Sequence, residues 1–404
     1  MEPLLLPFRA WRPASGRAQD VVAPPYDVVS TAEARARAAG RPWSFLHVSR
    51  AEIDLAPGID PYAPEVYAKA GDAFRRMVDA GVLVREDRDA FYVYRLTAGD
   101  HVQTGIAAAA PVVAYTTSRI RRHEHTRPAK EMDRVRQIAA VGAHTGPVFL
   151  THRPDAEIAA AIADVTGGEP STDVMTDERV RHQIWIVDDP AVVQRLIAAF
   201  AGMAAIYVAD GHHRAAAAAR VAELRASGED RFLVVTFPAD EVRILDYNRL
   251  VRDLAGHSPD QLRHRLSDAF EVQSLSSPPK PTRPGEFAMV LEGLWYRLRL
   301  RATEGESEAV DRLDVSRLSR HVLEPILGIG DPRTDPRIDF VGGDRGLAEL
   351  ARRVAAGDWA VGFGLYPTAL ADLMAVADAG AVMPPKSTWF DPKLADGLLS
   401  LPLD

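Results

Sequence analysis

The sequence contains no cysteine among its 404 residues. This absence excludes disulfide bonds, thiolate catalysis and cysteine-based zinc sites, and it leaves the redox compartment unmarked. Arginine and proline interrupt the apolar stretches, so none approaches the length of a transmembrane helix. Met1 to Arg12 lacks the basic, apolar and small-residue succession of a signal peptide. We therefore expect a cytoplasmic protein with no membrane partner.

The sequence also lacks an excess of basic residues. The formal net charge is −8, from 48 lysines and arginines and 56 acidic residues. This balance argues against a protein that coats nucleic acid, so we expect no nucleic-acid partner. Lysine is rare, and it occurs only at Lys69, Lys130, Lys280, Lys386 and Lys393. Three of these, Lys130, Lys386 and Lys393, lie in polar segments, where a compact ammonium suits contact with phosphate.

The hydrophobic fraction of 47% and the charged fraction of 26% are those of an ordinary globular protein. Predicted strands and helices alternate along the chain, which indicates an α/β to α+β fold with mixed sheets and flanking helices. Phe91–Leu96 and Val102–Val113 predict a hairpin, because two strand-like runs flank a short turn. The short apolar run Ser44–Ser49 predicts a further strand.

The length of the chain predicts two or three domain-sized units. Ser276–Pro284 is rich in serine and proline and is the best candidate for a linker. We therefore expect a main catalytic region over residues 1–275 and a C-terminal α/β region over residues 285–404. The end loop of the C-terminal region is expected to return to the site.

The most informative stretch is Asp210–Arg214, with the sequence Asp-Gly-His-His-Arg. It follows an apolar run, Ala204–Ala209, that is typical of a buried strand, and it precedes an alanine-rich run, Ala215–Ala219, that begins a helix. A tight turn therefore lies at a helix N-terminus, where unpaired N–H groups and the helix dipole attract anions. Gly211 permits a close backbone approach or a positive φ. The sequence predicts a phosphate-binding turn here.

The side chains of this turn suit the same ligand. His212, His213 and Arg214 place two imidazoles and a guanidinium beside the expected phosphate. Asp210, at the end of the strand, is able to hold a magnesium ion or to orient a histidine. An Asp-Gly turn alone is commonly structural, whereas two adjacent histidines and an arginine are harder to explain by packing. We therefore favour a functional turn over a structural one.

A second polar segment, His123-Glu124-His125-Thr126-Arg127, precedes a predicted helix that contains Lys130. Alternate residues of an extended segment share a face, so His123 and His125 would point away from Glu124. Two histidines near an acid are able to bind a metal, although the spacing differs from the helical His-Glu-x-x-His zinc pattern. Glu124 is also a candidate general base. A solvated charged loop is an equally open alternative.

A third polar segment near the C-terminus contains Lys386, Ser387 and Thr388 after Pro384 and Pro385. The prolines stiffen the loop and lower the entropy lost when its side chains are held in place. Lysine followed by two hydroxyls resembles the end of a P-loop, but the preceding glycines are absent. The alternative is a purely structural segment that ties down the C-terminus. We expect Lys386, with Ser387 and Thr388, to bind substrate.

Four motifs together resemble the DUF1015 family, which is named for its unknown function. They are Pro24-Pro25-Tyr26-Asp27-Val28, His123-Glu124 with Thr126, Asp210–Arg214, and Met383–Thr388. The Asp-Gly-His-His-Arg element is also similar to the phosphate-binding turn of the ParB/sulfiredoxin fold, whose members include kinases that phosphorylate free L-serine with ADP or ATP. Relatives commonly carry tyrosine directly after His-His-Arg, where this chain has Ala215.

The resemblance implies a ParB/sulfiredoxin-like nucleotide-binding core with an additional lobe. It also implies a nucleotide-dependent kinase that acts on a small hydroxylated metabolite, with free L-serine, giving O-phosphoserine, as the first candidate acceptor. Phosphoryl transfer needs positioned phosphates, a divalent ion and a group that orients or deprotonates the acceptor.

We assign these roles residue by residue. The phosphates of ATP or ADP would be bound by Gly211, His212, His213 and Arg214. Asp210 would hold Mg²⁺, and the catalytic residues would be Glu124, His213 and Asp210, with Glu124 as the base. The acceptor would be bound by Arg127, Lys130, Lys386, Ser387 and Thr388.

Two other classes of function remain open from the sequence. One is a metal-dependent hydrolase with His123, His125, His212 and His213 as ligands. The other is a nucleotide-binding module without catalytic activity.

Overall fold

The computed structural model describes residues 3–225, 230–301 and 308–404. The strands, numbered along the chain, are β1 (Trp11–Pro13), β2 (Leu83–Arg85), β3 (Phe91–Ala98), β4 (His101–Pro111), β5 (Ile120–Arg121), β6 (Ala143–His144), β7 (Val148–His152), β8 (Thr172–Met175), β9 (Val180–Val187), β10 (Ile206–Asp210), β11 (Arg231–Pro238), β12 (Ile244–Leu245), β13 (Tyr247–Val251), β14 (Phe270–Leu275), β15 (Glu286–Leu291), β16 (Leu294–Leu300), β17 (Ile338–Gly342), β18 (Val361–Gly364), β19 (Trp389–Phe390) and β20 (Leu401–Pro402).

The α-helices are α1 (Ala18–Val21), α2 (Thr31–Ala38), α3 (Leu46–Ser49), α4 (Pro64–Asp79), α5 (Val112–Thr116), α6 (Pro128–Val141), α7 (Ala156–Thr166), α8 (Pro190–Gly202), α9 (His212–Arg225), α10 (Pro259–Leu266), α11 (Asp314–Leu318), α12 (Gly346–Ala355) and α13 (Leu370–Asp378). A 3₁₀ turn covers Ala51–Asp54, and a π-helical turn covers Ser319–Leu323. Over the described parts of the chain, no helix has both the length and the apolar character needed to cross a membrane.

The chain divides into two compact units, and the division differs from the one suggested by the sequence. The first unit comprises Met1–Val242 and Pro392–Asp404, and the second comprises Arg243–Asp391. The expected linker, Ser276–Pro284, lies inside the second unit. The strands on either side of it, β14 and β15, both pair with β16, so this segment is a loop within one sheet. The C-terminal residues instead rejoin the first unit, where β20 pairs with β6.

A mixed sheet forms the centre of the first unit. In the described residues it has eight strands in the order β5-β10-β7-β11-β4-β3-β9-β8. The pairs β5–β10 and β7–β11 are parallel, and the other neighbouring pairs are antiparallel. The predicted hairpin is confirmed as β3 and β4. The expectation of mixed sheets with flanking helices is therefore confirmed.

The predicted strand at Ser44–Ser49 is wrong, because α3 occupies Leu46–Ser49. Phe45, Leu46 and Val48 are buried in one apolar cluster with Phe74 and Met77 of α4. A short apolar run has no periodicity that separates a strand from a helix. Packing against a neighbouring helix, which the local sequence does not specify, determined the conformation.

An antiparallel sheet forms the second unit. Within the described residues its six strands follow the order β14-β16-β15-β18-β13-β17. Leu350 and Val354 of α12 are buried against Leu250, Val290 and Trp295 of the sheet. This apolar layer gives the second unit a core of its own.

The close pairing of β4 and β11 leads to a prediction about stability. A Cβ atom added at Gly105 would lie 2.7 Å from Phe237 Cδ1 and would also clash with the backbone oxygen of Thr236. Because the backbone of a paired strand cannot move away, we expect Gly105→Ala to lower the free energy of unfolding by about 3 kcal/mol. The measurement is urea unfolding at equilibrium.

Gly202→Ala is the matched control, because a Cβ at Gly202 meets no atom within 4 Å. At this helical position alanine should stabilise the protein by up to about 1 kcal/mol. Equal unfolding midpoints for the two variants would contradict the packing argument.

Candidate phosphate-binding site

The turn between β10 and α9 has the conformation that the sequence predicted. The strand ends at Asp210, and the helix begins at His212. Gly211 has a φ of +93°, which side chains of L-residues rarely adopt. A Cβ at Gly211 would also lie 2.8 Å from Arg214 Nε. Glycine is therefore required both by the backbone and by the packing of Arg214.

Parallel pairing of β5 with β10 brings the second polar segment to this turn. Ile120 pairs with Ile206, so the residues that follow both strands emerge at the same edge of the sheet. The rings of His123 and His212 meet edge to face, with centroids 4.4 Å apart. Glu124 Oε2 lies 3.8 Å from His212 Nδ1, and its side chain is 38% exposed. The structure thus places Glu124 beside the turn, in contact with solvent.

The N-terminus of α6 lies at the same place. The backbone N–H of Arg127, the residue before α6, donates a hydrogen bond to Nε2 of His213 at 3.0 Å. Because Nε2 accepts this bond, a neutral His213 carries its proton on Nδ1. The positive ends of the α6 and α9 dipoles therefore lie close together. Arg127 and Lys130 are exposed on the first turn of α6 or next to it.

Arg214 is turned into the protein, and only 8% of the residue is exposed. Its Nη1 donates to the Pro147 carbonyl oxygen at 2.6 Å, and its Nη2 donates to Asp210 Oδ2 at 3.3 Å. These bonds join the start of α9 to the end of β10 and to the residue before β7. Arg214 therefore holds the turn in shape from beneath it.

Asp210 lies between two cations. Its Oδ2 is 3.5 Å from Lys393 Nζ and 3.3 Å from Arg214 Nη2. Burial alone would raise the pKa of Asp210, but the charges of Lys393 and Arg214 outweigh it and hold the pKa below its usual range. A divalent cation bound here would face two positive charges at short range. Asp210 therefore does not fit the predicted role of magnesium ligand.

Two histidines of the site are neutral and deeply buried. His123 is 2% and His212 is 5% exposed. Burial lowers the pKa of His123 to about 4 and holds that of His212 well below its usual value. Among the described residues, His123 Nδ1 and His212 Nε2 have no hydrogen-bond partner. The site thus contains imidazole nitrogens that are not committed to the protein framework.

The geometry does not support a four-histidine metal site. In the described ranges, no three or more histidine, aspartate or glutamate side chains are grouped so as to hold a metal ion. His125 is exposed, and Nε2 of His213 already accepts the bond from Arg127. The hydrolase alternative therefore lacks the ligand set on which it was based.

A cluster of buried charges beneath the turn was missed by the assignment of roles from the sequence. The guanidinium of Arg134 lies 3.9 Å from the ring centre of Tyr26 and bonds to Asp133 at 2.7 Å. Asp396 is 2% exposed and interacts electrostatically with Arg214 and Arg134. A single carboxylate inside the apolar run Leu394–Leu401 was the available signal for Asp396, since such a residue is seldom buried without a partner.

The predicted residues Lys386, Ser387 and Thr388 belong to the second unit. Lys386 is exposed, has a φ of +58°, and places Nζ 5.7 Å from the ring centre of Tyr247. The Ser387 hydroxyl donates to the Pro384 carbonyl oxygen at 2.6 Å. The loop therefore uses one of its two hydroxyls to maintain its own shape. The substrate-binding role of these residues stays a prediction.

The chain belongs to the DUF1015 family, described as proteins of unknown function, whose model matches residues 5–316. The match includes the turn at Gly211 and the segment around Glu124, whereas Lys386 and Lys393 lie beyond it. No curated protein matches the chain by sequence.

Several solved structures resemble the chain at low similarity. A free serine kinase in complex with AMP has 16% identity and a TM-score of 0.37, with 74% of this chain and 91% of that chain covered. C-terminally truncated SbnI from Staphylococcus aureus has 13% identity and a TM-score of 0.39, covering 74% and 87%. A conserved hypothetical protein from Pyrococcus furiosus has 15% identity and a TM-score of 0.35, covering 74% and 95%.

The buried histidines predict that the protein loses stability in acid. The pKa of His123 is lowered from 6.5 to about 4 in the folded state, so the unfolded chain binds more protons between these values. The contribution of His123 to the free energy of unfolding is therefore fully present above pH 6.5. It falls by up to about 3 kcal/mol as the pH drops towards 4. We expect His123→Gln to remove this part of the pH dependence in urea unfolding between pH 7 and pH 4.

His125→Gln is the control, because His125 is exposed and adjacent in sequence. It should retain the wild-type pH dependence. The argument would be contradicted if the unfolding free energy of His123→Gln declined with acid as steeply as that of the wild type.

Proposed function

We propose that the protein is a nucleotide-dependent phosphotransferase that acts on a small hydroxylated metabolite. The observation that carries the proposal is the meeting of two helix N-termini at one sheet edge, joined by the bond from Arg127 N–H to His213 Nε2. Backbone N–H groups and helix dipoles of this kind bind phosphate groups. Gly211, with its positive φ, allows the ligand to approach the backbone closely.

Neutral side chains and outer cations would share the recognition of the phosphates. His212 and His213 are placed to donate or accept hydrogen bonds at the first turn of α9. The exposed Arg127 and Lys130 add positive charge at the start of α6. Arg214 would act as a positioning residue, because its guanidinium is bonded to Pro147 and Asp210.

Glu124 is the proposed general base. Its carboxylate lies beside His212 at the edge where the phosphates would bind, and it remains accessible to a substrate. In the proposed reaction Glu124 accepts the proton of the acceptor hydroxyl. The acceptor oxygen then bonds to the terminal phosphorus, and the bond from that phosphorus to the nucleotide oxygen breaks. The products are the phosphorylated acceptor and the nucleotide shortened by one phosphate.

Free L-serine is the first acceptor to test, and ATP and ADP are both candidate donors. This choice rests on the similarity of the Asp-Gly-His-His-Arg element to the turn of ParB/sulfiredoxin-fold serine kinases. A ParB/sulfiredoxin-like core in the first unit belongs to the same proposal. In it the nucleotide enters as its magnesium complex, and no residue of this chain is assigned as a ligand of the ion.

The direct test is phosphorus NMR of the full-length protein with magnesium and either ATP or ADP. Separate reactions contain L-serine, other hydroxylated amino acids or sugars. Transfer to one class of hydroxyl acceptor supports the proposal, and O-phosphoserine supports the first candidate. Tight nucleotide binding without transfer to any acceptor would favour the non-catalytic nucleotide-binding module.

A variant of Glu124 tests the assigned chemistry. Glu124→Gln retains the shape and hydrogen-bonding capacity of the side chain but loses its basicity. We expect nearly normal nucleotide affinity and a turnover reduced at least ~100-fold, the lower end of general-base contributions. Nucleotide affinity would be measured by calorimetry and turnover by the transfer assay.

Glu65→Gln provides the matched control, since Glu65 is an exposed glutamate in the first turn of α4. This variant should transfer phosphate at the wild-type rate. Wild-type turnover in Glu124→Gln would instead remove the base from the mechanism and leave positioning as the source of catalysis.

A further inference from the structure

A small cavity lies beneath the phosphate-binding turn, entirely within the first unit. Its volume is about 30 Å³, and its lining includes Ser49, Arg214 and Asp396. Each of these three residues has a buried polar atom without a hydrogen-bond partner among the described residues: Ser49 Oγ, Arg214 Nε and Asp396 Oδ1. The residues that carry this donor, this acceptor and this hydroxyl therefore line the same small space.

The chemistry of this cavity suits water. A volume of about 30 Å³ accommodates about two water molecules, and buried waters occupy polar cavities where two to four partners are available. Such waters would accept from Arg214 Nε and donate to Asp396 Oδ1. The cavity is too small for a nucleotide, so it is separate from the proposed ligand position.

The backbone holds Asp396 firmly at this cavity. Asp396 N–H donates to the Ala23 carbonyl oxygen at 2.9 Å, and Ala23 N–H donates to the Asp396 carbonyl oxygen at 3.2 Å. These two bonds fix the backbone of Asp396 next to the cavity. Burial raises the pKa of Asp396 to about 7, although the charge of Arg214 opposes this shift.

Burial favours the neutral form of Asp396, and the charges around it act in both directions. Titratable groups lie around it on the Pro24–Asp27 loop, α6, β6 and α9, namely Tyr26, Asp27, Arg134, His144 and Arg214. Asp133 pairs with Arg134. Burial lowers the pKa of His144 to about 4, so this histidine is neutral at pH 7. The cations of the cluster are Arg134, Arg214 and Lys393, and the carboxylates other than Asp396 are Asp27, Asp133 and Asp210. The charge of Asp27 also favours the neutral form of Asp396, whereas the charges of Arg214 and Arg134 oppose it.

We propose that Asp396 is a positioning residue for the phosphate-binding turn. Its protonated carboxyl group is linked through cavity water to Arg214. Binding of a phosphate at the turn favours protonation of Asp396. This inference rests on the proposed function, because it requires a phosphate-bearing ligand at Gly211. An added negative charge near Arg214 favours the neutral form of a neighbouring carboxyl group. Binding and protonation are then linked, and each strengthens the other.

Calorimetry of ADP binding to the full-length protein at pH 7, in buffers of different ionisation enthalpy, measures the protons taken up. Wild-type protein should take up as much as about half a proton more per ADP than Asp396→Asn, because a group with a pKa near 7 is half protonated beforehand. Because both proteins are compared at one pH with the same ligand, the protons exchanged by ADP itself contribute equally and cancel in the difference. Asparagine has the shape of the protonated carboxyl, so the variant should fold.

The pH dependence of affinity is the second measurement. Between pH 6 and pH 8 the wild-type affinity for ADP should fall about two- to fivefold more than that of Asp396→Asn, for a pKa shift of half to one unit on binding. Asp72→Asn, which changes an exposed aspartate of α4, should match the wild type in both measurements. A crystal structure near pH 6 should show water between Asp396 Oδ1 and Arg214 Nε.

The outcomes separate this inference from the proposed function. ADP binding with equal proton uptake in wild type and Asp396→Asn overturns the inference and leaves the phosphotransferase proposal standing. Failure of the wild type to bind either ADP or ATP at any pH overturns both. Loss of the extra uptake in Asp396→Asn, but not in Asp72→Asn, supports the linkage.

Discussion

The burial of Arg214 is the constraint on which the rest of the site depends. A guanidinium stays charged inside a protein, so it must be met by carboxylates and carbonyl oxygens. Asp210 and the Pro147 carbonyl supply those partners at 3.3 Å and 2.6 Å. The same bonds tie the start of α9 to β10 and to the approach to β7. Gly211 has to lack a side chain because Arg214 occupies the space beside it.

The electrostatics of the site follow from this arrangement. Beneath the turn, cations and carboxylates nearly cancel, and desolvation keeps His123 and His212 neutral. Above it, the two helix N-termini and the exposed Arg127 and Lys130 leave a positive edge. A neutral interior beneath a positive edge attracts an anion to the surface of the turn without drawing it into the core. This separation is the physical basis for assigning contact roles to the edge and positioning roles to the buried charges.

Local patterns predicted the parts of the fold that depend on neighbours in sequence. The apolar run before Asp210 became β10, the alanines after Arg214 became part of α9, and two alternating runs became the hairpin of β3 and β4. The prediction of a strand at Ser44–Ser49 was wrong because the conformation of this segment depends on packing against α4. The predicted boundary between the units at Ser276–Pro284 also differs from the structure. Turn-forming residues occur in a loop within a sheet as readily as in a linker.

The sequence by itself determined that a donor-rich turn containing a glycine would follow a strand and begin a helix. It did so because those features depend on the residues of one short segment. Only the tertiary structure decided that His123 and Glu124 lie beside His212, that Arg214 faces inward, and that Lys393 neutralises Asp210. These relations depend on parallel pairing of β5 with β10 and on the return of the C-terminal segment to the first unit. Such long-range contacts bring distant residues together through burial and charge compensation, which no local pattern in the chain records.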